Sequence, residues 1–308
     1  MDLRGLEAMI AVERTGNFTK AANKLNLSQP ALSRRVSGLE QEVGLALIER
    51  RRGRAGLTEA GKALLPHAEA AVASVQDGWD AIQAIGSGQG GTLVLAVPDM
   101  MCRPPLLAAL QDFRRDFPHV ELSLRTGNST AVSDLVRRGE ATIGMRFRLV
   151  HHPRLSAAAI ATETMVVICA AGHPLRRHGA VEPERLAGET WIGIPTASDE
   201  PDGGLRNTLS EYGLQANRVM PISDFVAQKS LIEAGFGIGL CTRESVLPDL
   251  ESGRLATLEV TAMRSDVPVV LLTRKDGYLG RPARSLIERV KQTMAGDPRL
   301  MHSVHRPM

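Results

Sequence analysis

A chain of 308 residues with 43% hydrophobic and 23% charged side chains has the make-up of a globular protein of two or three domains, which excludes a disordered or fibrous chain. No run approaches the roughly 18 apolar residues of a membrane span. The opening MDLRGLEAMIAVE carries acids where a secretory signal carries none, and three scattered cysteines, Cys102, Cys169 and Cys241, exclude a disulfide framework, so a reducing cytoplasm is expected. The net charge of +3 is unevenly spread: residues 1–66 carry 11 basic and 7 acidic side chains, the remainder 26 and 27. A positive excess in the first fifth fits a polyanionic partner there, although an ordinary solvated surface gives the same balance.

Leu3, Leu6, Met9 and Ile10 recur at helical spacing and predict a helix over 3–14. Thr15-Gly16-Asn17 stops it, and Asn17 or Thr19 caps a short second helix through Leu25, with Ala21 and Ala22 facing inward. After the turn Asn26-Leu27, Ser28 caps a third helix with Pro30 in its first turn, where a missing N–H costs nothing. Leu32, Val36, Leu39 and Val43 form its buried face, Gln29, Ser33, Arg34 and Ser37 its outer face, and Gly44 ends it. The basic, glycine-containing stretch from Glu49 to Leu57 reads as a hairpin or wing. Thr58 then caps a helix of about 28 residues on which Ala68, Val72, Val75, Trp79 and Ile82 form a heptad seam. That seam needs a partner, either in its own chain or, as the glycine-rich joint at 86–91 favours, in a second copy.

Beyond Thr92 the pattern changes. Short apolar runs at 93–97, 165–170, 191–194, 238–241 and 267–273 read as buried strands, separated by helical segments at 106–116, 132–138, 204–213 and 226–234. Such alternation predicts an α/β region with largely parallel sheets and a ligand crevice at the strand ends.

A helix fits the DNA major groove, and its first turn reaches the base edges. Gln29 and Ser33 share a face at i and i+4. Gln29 suits adenine, and Arg34 reaches guanine or a phosphate. Thr19, Lys20 and Arg35 are placed for the backbone, and Arg50, Arg52 and Arg54 of the wing for phosphates or a minor groove. Taken singly these are ordinary solvent-facing residues; the order helix, turn, capped helix, basic hairpin is what carries the reading. Residues 6–61, with NFTKAA, LNLSQPALSRRV, LEQEVG and LTEAG at their spacing, closely resemble LysR-type transcriptional regulators. One departure is Ile48, where the family usually has an aromatic.

The resemblance implies an α+β multidomain chain: a winged helix-turn-helix over 1–58, a linker or dimerisation helix and hinge over 59–91, and an effector-binding domain over 92–308. That domain would be an α/β module of two subdomains, 92–162 with 267–308, and 163–266, similar to periplasmic solute-binding proteins. It further implies double-stranded DNA with an interrupted palindrome, a dimer or dimer of dimers, contact with RNA polymerase, and a small-molecule effector, with no cofactor and no catalytic role. The effector cleft is expected among Asp99, Met100, Met101, Arg103, Thr126, Gly127, Asn128, Ser129, Arg146, Phe147, Thr196, Ser198, Phe225 and Val226. Arg146 occupies a position that the family often uses for a ligand carboxylate, which favours a small, partly apolar organic acid. Asp99 opposes this: either it pairs with Arg103 or Arg146, or the ligand brings a donor or a positive group. A small-molecule carrier or an enzyme built on the α/β region is the competing reading, but the chain offers no nucleophile–base constellation. His151-His152 is a turn rather than a metal pair, because adjacent side chains diverge.

Overall fold

The structure, a computed structural model, describes residues 1–51, 54–86, 91–193 and 205–295. The chain divides near residue 88 into two units, taken here in turn.

In the first unit, helix α1 (Leu3–Thr15) starts where the Asp2 carboxylate accepts from the Gly5 amide at 2.7 Å, and ends at Gly16, whose φ of 61° suits a residue without Cβ. Asn17 caps α2 (Phe18–Lys24), its side-chain oxygen accepting from the Thr19 and Lys20 amides at 2.8 and 3.0 Å. Ser28 caps α3 (Gln29–Val43) through the Ala31 amide, and Gly44 closes it at φ 75°. Ala21 and Ala22 let α2 pack closely on Ala8 and Val12 of α1 and Leu32 and Val36 of α3. Val43, expected on this buried face, lies in the last turn before Gly44 and is 38% exposed.

Strands β1 (Ile48–Arg51) and β2 (Arg54–Leu57) pair antiparallel, with Ile48 opposite Leu57 and Arg51 opposite Arg54. Two contacts fix this wing to the helices. The Glu40 carboxylate of α3 accepts from the Leu47 and Ile48 amides at 2.8 and 3.0 Å, and the Ala55 amide donates to the Gly16 carbonyl at 2.8 Å. Ile48 bridges both apolar clusters of the unit.

Thr58 caps α4 (Glu59–Gly86) through the Gly61 amide. The predicted seam splits along this helix. Ala68 is buried against Leu6, Met9 and Ile10 of α1, with Val72 half-buried beside it. Val75, Trp79 and Ile82 are 43%, 58% and 60% exposed. One end of the stripe is therefore covered by its own chain, and the other end is bare.

The second unit begins with β3 (Gly91–Pro98), α5 (Pro104–Asp116), β4 (Val120–Gly127), α6 (Ser129–Arg137) and β5 (Ile143–Phe147). Here β4 and β5 flank β3 in parallel, as strand–helix alternation predicts. Next come β6 (Leu155–Ala170), β7 (Trp191–Gly193), α7 (Leu205–Glu211), β8 (Val219–Pro221), α8 (Phe225–Glu233), β9 (Gly239–Thr242), α9 (Leu247–Glu251), β10 (Leu255–Leu258), β11 (Ser265–Arg274) and α10 (Arg281–Ala295). The main sheet has the order β10-β6-β11-β5-β3-β4, with β9 also on β6.

The expectation of largely parallel sheets is corrected here. The 16-residue β6 pairs antiparallel with β11, β9 and β10, and β11 pairs antiparallel with β5. Both long strands run through the whole unit, so each half is built around chain passing in opposite directions. One half packs α5 and α10 on one face of the sheet and α6 on the other. The other half holds two clusters, around Trp191 and around Ile192 with Phe225.

A Cβ on Gly61 would lie 2.1 Å from the Leu47 carbonyl oxygen. Alanine in a helix gains roughly 0.5–1 kcal/mol over glycine, but forcing that backbone contact apart costs about 1–3 kcal/mol. The clash therefore wins: Gly61→Ala lowers the stability of the first unit, read as a lower melting temperature of the intact chain. An unchanged or higher melting temperature would contradict the packing described.

Candidate functional site

The first unit carries exposed polar residues on α2, α3 and the wing. Gln29 and Pro30 lie exposed in the first turn of α3, with Arg34 exposed one turn on; Ser33 and Arg35 are half-buried beside them. Thr19 and Lys20 stand exposed at the start of α2, their amides held by Asn17. Arg50 lies on β1 opposite Ala55, Arg54 is exposed at the start of β2, and Arg52 falls outside the described residues. The first turn of α3 and the wing thus come from separate stretches, joined through Glu40 and Gly16.

In the second unit a cavity of about 190 Å³ opens between the two halves. Its walls are mainly apolar: Met100, Phe147 and Val267 on one side, Met165, Leu205, Leu240 and Cys241 on the other. Among the described residues the polar lining is Arg148, Thr208, Gln228 and Thr242. Gln228 is fixed by its amide nitrogen, which donates to the Ile192 carbonyl at 2.7 Å. Arg148 is exposed, leaves β5 at φ 66°, and has no acidic partner among the described residues.

Of the residues expected in the cleft, Met100 and Phe147 line the cavity and several others do not. Arg146 is 4% exposed; its guanidinium donates to the Ser133 hydroxyl of α6 at 2.9 Å and to the Phe147 carbonyl at 3.1 Å. The reason is strand alternation. Gly144 packs against Val132 and Val136 of α6, so Arg146 shares that face, while Met145 and Phe147 take the other. Arg148, just past the strand end, is the cation that lines the cavity. Met101 is wholly buried in the core under α5.

Asp99 pairs with neither arginine. Its two oxygens accept from the Met100 and Phe225 amides, each at 2.9 Å, so the carboxylate ties one half of the unit to the first residue of α8 in the other. Arg103 instead pairs with the buried Glu163 of β6. Asn128 caps α6 through the Ala131 amide, and Ser129 accepts from the Phe147 amide at 3.3 Å. Gly127 ends β4, Thr126 is exposed, and Val226 is 69% exposed, while Thr196 and Ser198 lie outside the described residues. His152 accepts from the Arg154 amide within its turn, and burial lowers its pKa. Among the described residues no three His, Cys, Asp or Glu side chains gather to hold a metal ion, and no helix is long and apolar enough to cross a membrane.

With both surfaces described, the family follows. The model for the bacterial regulatory helix-turn-helix protein of the lysR family matches residues 3–62, and that for the LysR substrate binding domain matches residues 86–295. The chain belongs to the LysR family: it is a DNA-binding transcriptional regulator with an effector-binding domain, not an enzyme. It is 28% identical to the HTH-type transcriptional regulator CbbR of Rhodospirillum rubrum, over 94% of this chain and 95% of that one. It is 27% identical to the HTH-type transcriptional regulator AlsR of Bacillus subtilis, over 90% and 92%. Full-length OxyR from Pseudomonas aeruginosa superposes with a TM-score of 0.66 at 18% identity, over 100% of this chain and 99% of its own. ArgP from Mycobacterium tuberculosis does so with 0.64 at 20%, over 96% and 98%. At those identities the likeness speaks for the fold.

Burial raises the Cys169 thiol to about 11 and the Cys241 thiol to about 12; Cys102 is also raised, by burial and then by the Asp99 charge. At pH 8 the thiolate of Cys169 and Cys241 is at least about a hundredfold scarcer than that of an ordinary thiol. Iodoacetamide at pH 8 therefore modifies these two residues only on unfolding, as read by mass spectrometry. Labelling of Cys241 as fast in the native chain as in denaturant would refute this.

Proposed function

We propose that this regulator reads DNA with Gln29, Ser33 and Arg34 of α3, supported by Arg35, Thr19, Lys20 and the wing arginines, and that a small, partly apolar organic acid bound in the cavity of the second unit sets its activity. The observation that carries the DNA reading is the exposed first turn of α3 beside a basic hairpin. Replacing Arg34 or Gln29 with alanine costs about 1–3 kcal/mol at a specific site. In a gel shift with DNA upstream of its own gene, that loss is accompanied by affinity that falls steeply with salt. Equal binding by wild type and R34A would remove Arg34 from the reading face.

One recognition head makes few contacts, so tight binding to an interrupted palindrome requires two heads. The bare stripe Val75, Trp79 and Ile82 supports pairing through α4, giving a dimer or dimer of dimers that works in the cytoplasm and engages RNA polymerase. Val75→Glu places a charge in that seam, and light scattering then returns a smaller species with weaker DNA binding. A monomer already present in the wild type at micromolar concentration would contradict this.

The acid reading rests on Arg148, an exposed cation without an acidic partner among the described residues, in a cavity whose described lining is mainly apolar. Asp99, which would repel an acid, has both oxygens engaged by backbone amides, and the methionine and leucine walls favour an apolar body. An acid that binds only the native chain raises its melting temperature. Shifts given by benzoate or hexanoate disappear in Arg148→Ala and persist in Arg146→Ala. The reverse pattern would move the site to the α6 face.

A further inference from the structure

We propose that the cavity selects an acid that carries a hydroxyl at the end remote from its carboxylate, and that Thr242 is the residue that recognises this hydroxyl. This rests on the acid reading given above and deepens it.

Three observations converge. First, Thr242 lines the cavity, is wholly buried, and its hydroxyl oxygen has no hydrogen-bond partner among the described residues. Buried hydroxyls are nearly always paired, so one left open on a ligand cavity marks a position that a ligand atom completes. Second, the surroundings of Thr242 set what that atom can be. Its cross-strand partner on β6 is Met165; Glu163 lies two residues along the same face, opposite Val267, and both Met165 and Val267 line the cavity. Glu163 is wholly buried, and its second carboxylate oxygen is unpartnered among the described residues. Glu244, two residues beyond Thr242, accepts from the Thr164 amide, and burial raises its pKa, with Glu163 adding to the rise. Two carboxyls face one guanidinium, Arg103, in this corner, so the region repels a second anion. The ligand carboxylate therefore belongs at Arg148, and the group at Thr242 is an uncharged one that hydrogen-bonds with a hydroxyl, which itself both donates and accepts. An ammonium would have to be desolvated among Met165, Leu240 and Val267, with no carboxylate among the described lining residues and with Glu163 already paired to Arg103, which is costly; a hydroxyl avoids that cost. Third, the cavity volume of about 190 Å³ suits a small molecule. A cavity of about 150 Å³ holds one benzene, so the fitting class is a small monocarboxylate.

The test uses the full chain and matched acids. Unsubstituted acids of four to seven carbons are compared by calorimetry and thermal shift with their ω-hydroxy and ω-amino counterparts, and benzoate with 4-hydroxybenzoate. The expected result is that a hydroxy acid binds about tenfold more tightly than its unsubstituted partner. That preference disappears in Thr242→Val, survives in Thr242→Ser, and binding of both acids falls in Arg148→Ala. Thr242→Val is nearly isosteric and removes an unpaired hydroxyl, so the ligand-free variant melts no lower than wild type. Acids that bind in an Arg148-dependent way with no hydroxyl preference, or with a preference for the ω-amino form, would overturn this inference and leave the acid reading standing. If no acid binds, or binding ignores Arg148, the acid reading falls and this inference with it.

Discussion

The effector module depends on the pairing of β6 with β11. Ten residues of β11 run antiparallel along β6, from Ser265 opposite Met165 to Arg274 opposite Leu155, with one register shift between Val269 and Val270. Because side chains alternate along a strand, this register decides which residues meet. It places Glu163, Met165 and Val267 on one face, and β9 adds Thr242 opposite Met165. The same two strands pass through both halves of the module, so the halves are tied covalently and by ladder hydrogen bonds on one side of the cavity. On the other side the tie is smaller: the Asp99 carboxylate bound to the first amide of α8.

That asymmetry suits a sensor. A ligand held between the halves, as proposed above, would meet a few hydrogen bonds on the less constrained side and a ten-residue ladder on the other. Lys229 follows Phe225 by one turn of α8, holds its ammonium 5.5 Å from the Phe225 ring, and bonds the buried Asp249 at 2.7 Å. Asp249 also binds Arg254. The start of α8 is thus linked to Asp99 at its first residue and to α9 through its second turn. Arg148 is the cation among the described residues that line the cavity.

In the DNA-binding unit the architecture is local and correspondingly legible. Caps at Asn17 and Ser28, stops at Gly16 and Gly44, and Pro30 in a first turn each act over three or four residues, so short-range pattern reading locates α2 and α3 closely. The wing, too, announces itself by composition. What could not be read there were contacts over longer separations: Glu40 receiving the Leu47 and Ile48 amides, and Ala55 bonding Gly16. Val43 shows the same limit, since helical periodicity says which way a side chain points but not whether anything covers it.

For this protein, sequence alone determined the capped helices, the basic wing, the amphipathic stripe of α4 and the family to which the chain belongs, because all of these rest on signals within a few residues or on one dense motif. Tertiary structure alone decided which part of that stripe its own chain buries, that the central sheet is mixed, and what lines the cavity. Arg146 and Arg148 make the point in two residues. Arg146 lies within β5 and Arg148 just past its end, but the pleat turns Arg146 toward Ser133, and Arg148 leaves the strand at a positive φ and lines the cavity. Thr242 and Glu163 carried no signal at all, since their proximity exists only through the β6–β9 and β6–β11 registers, which join residues about 80 to 100 positions apart.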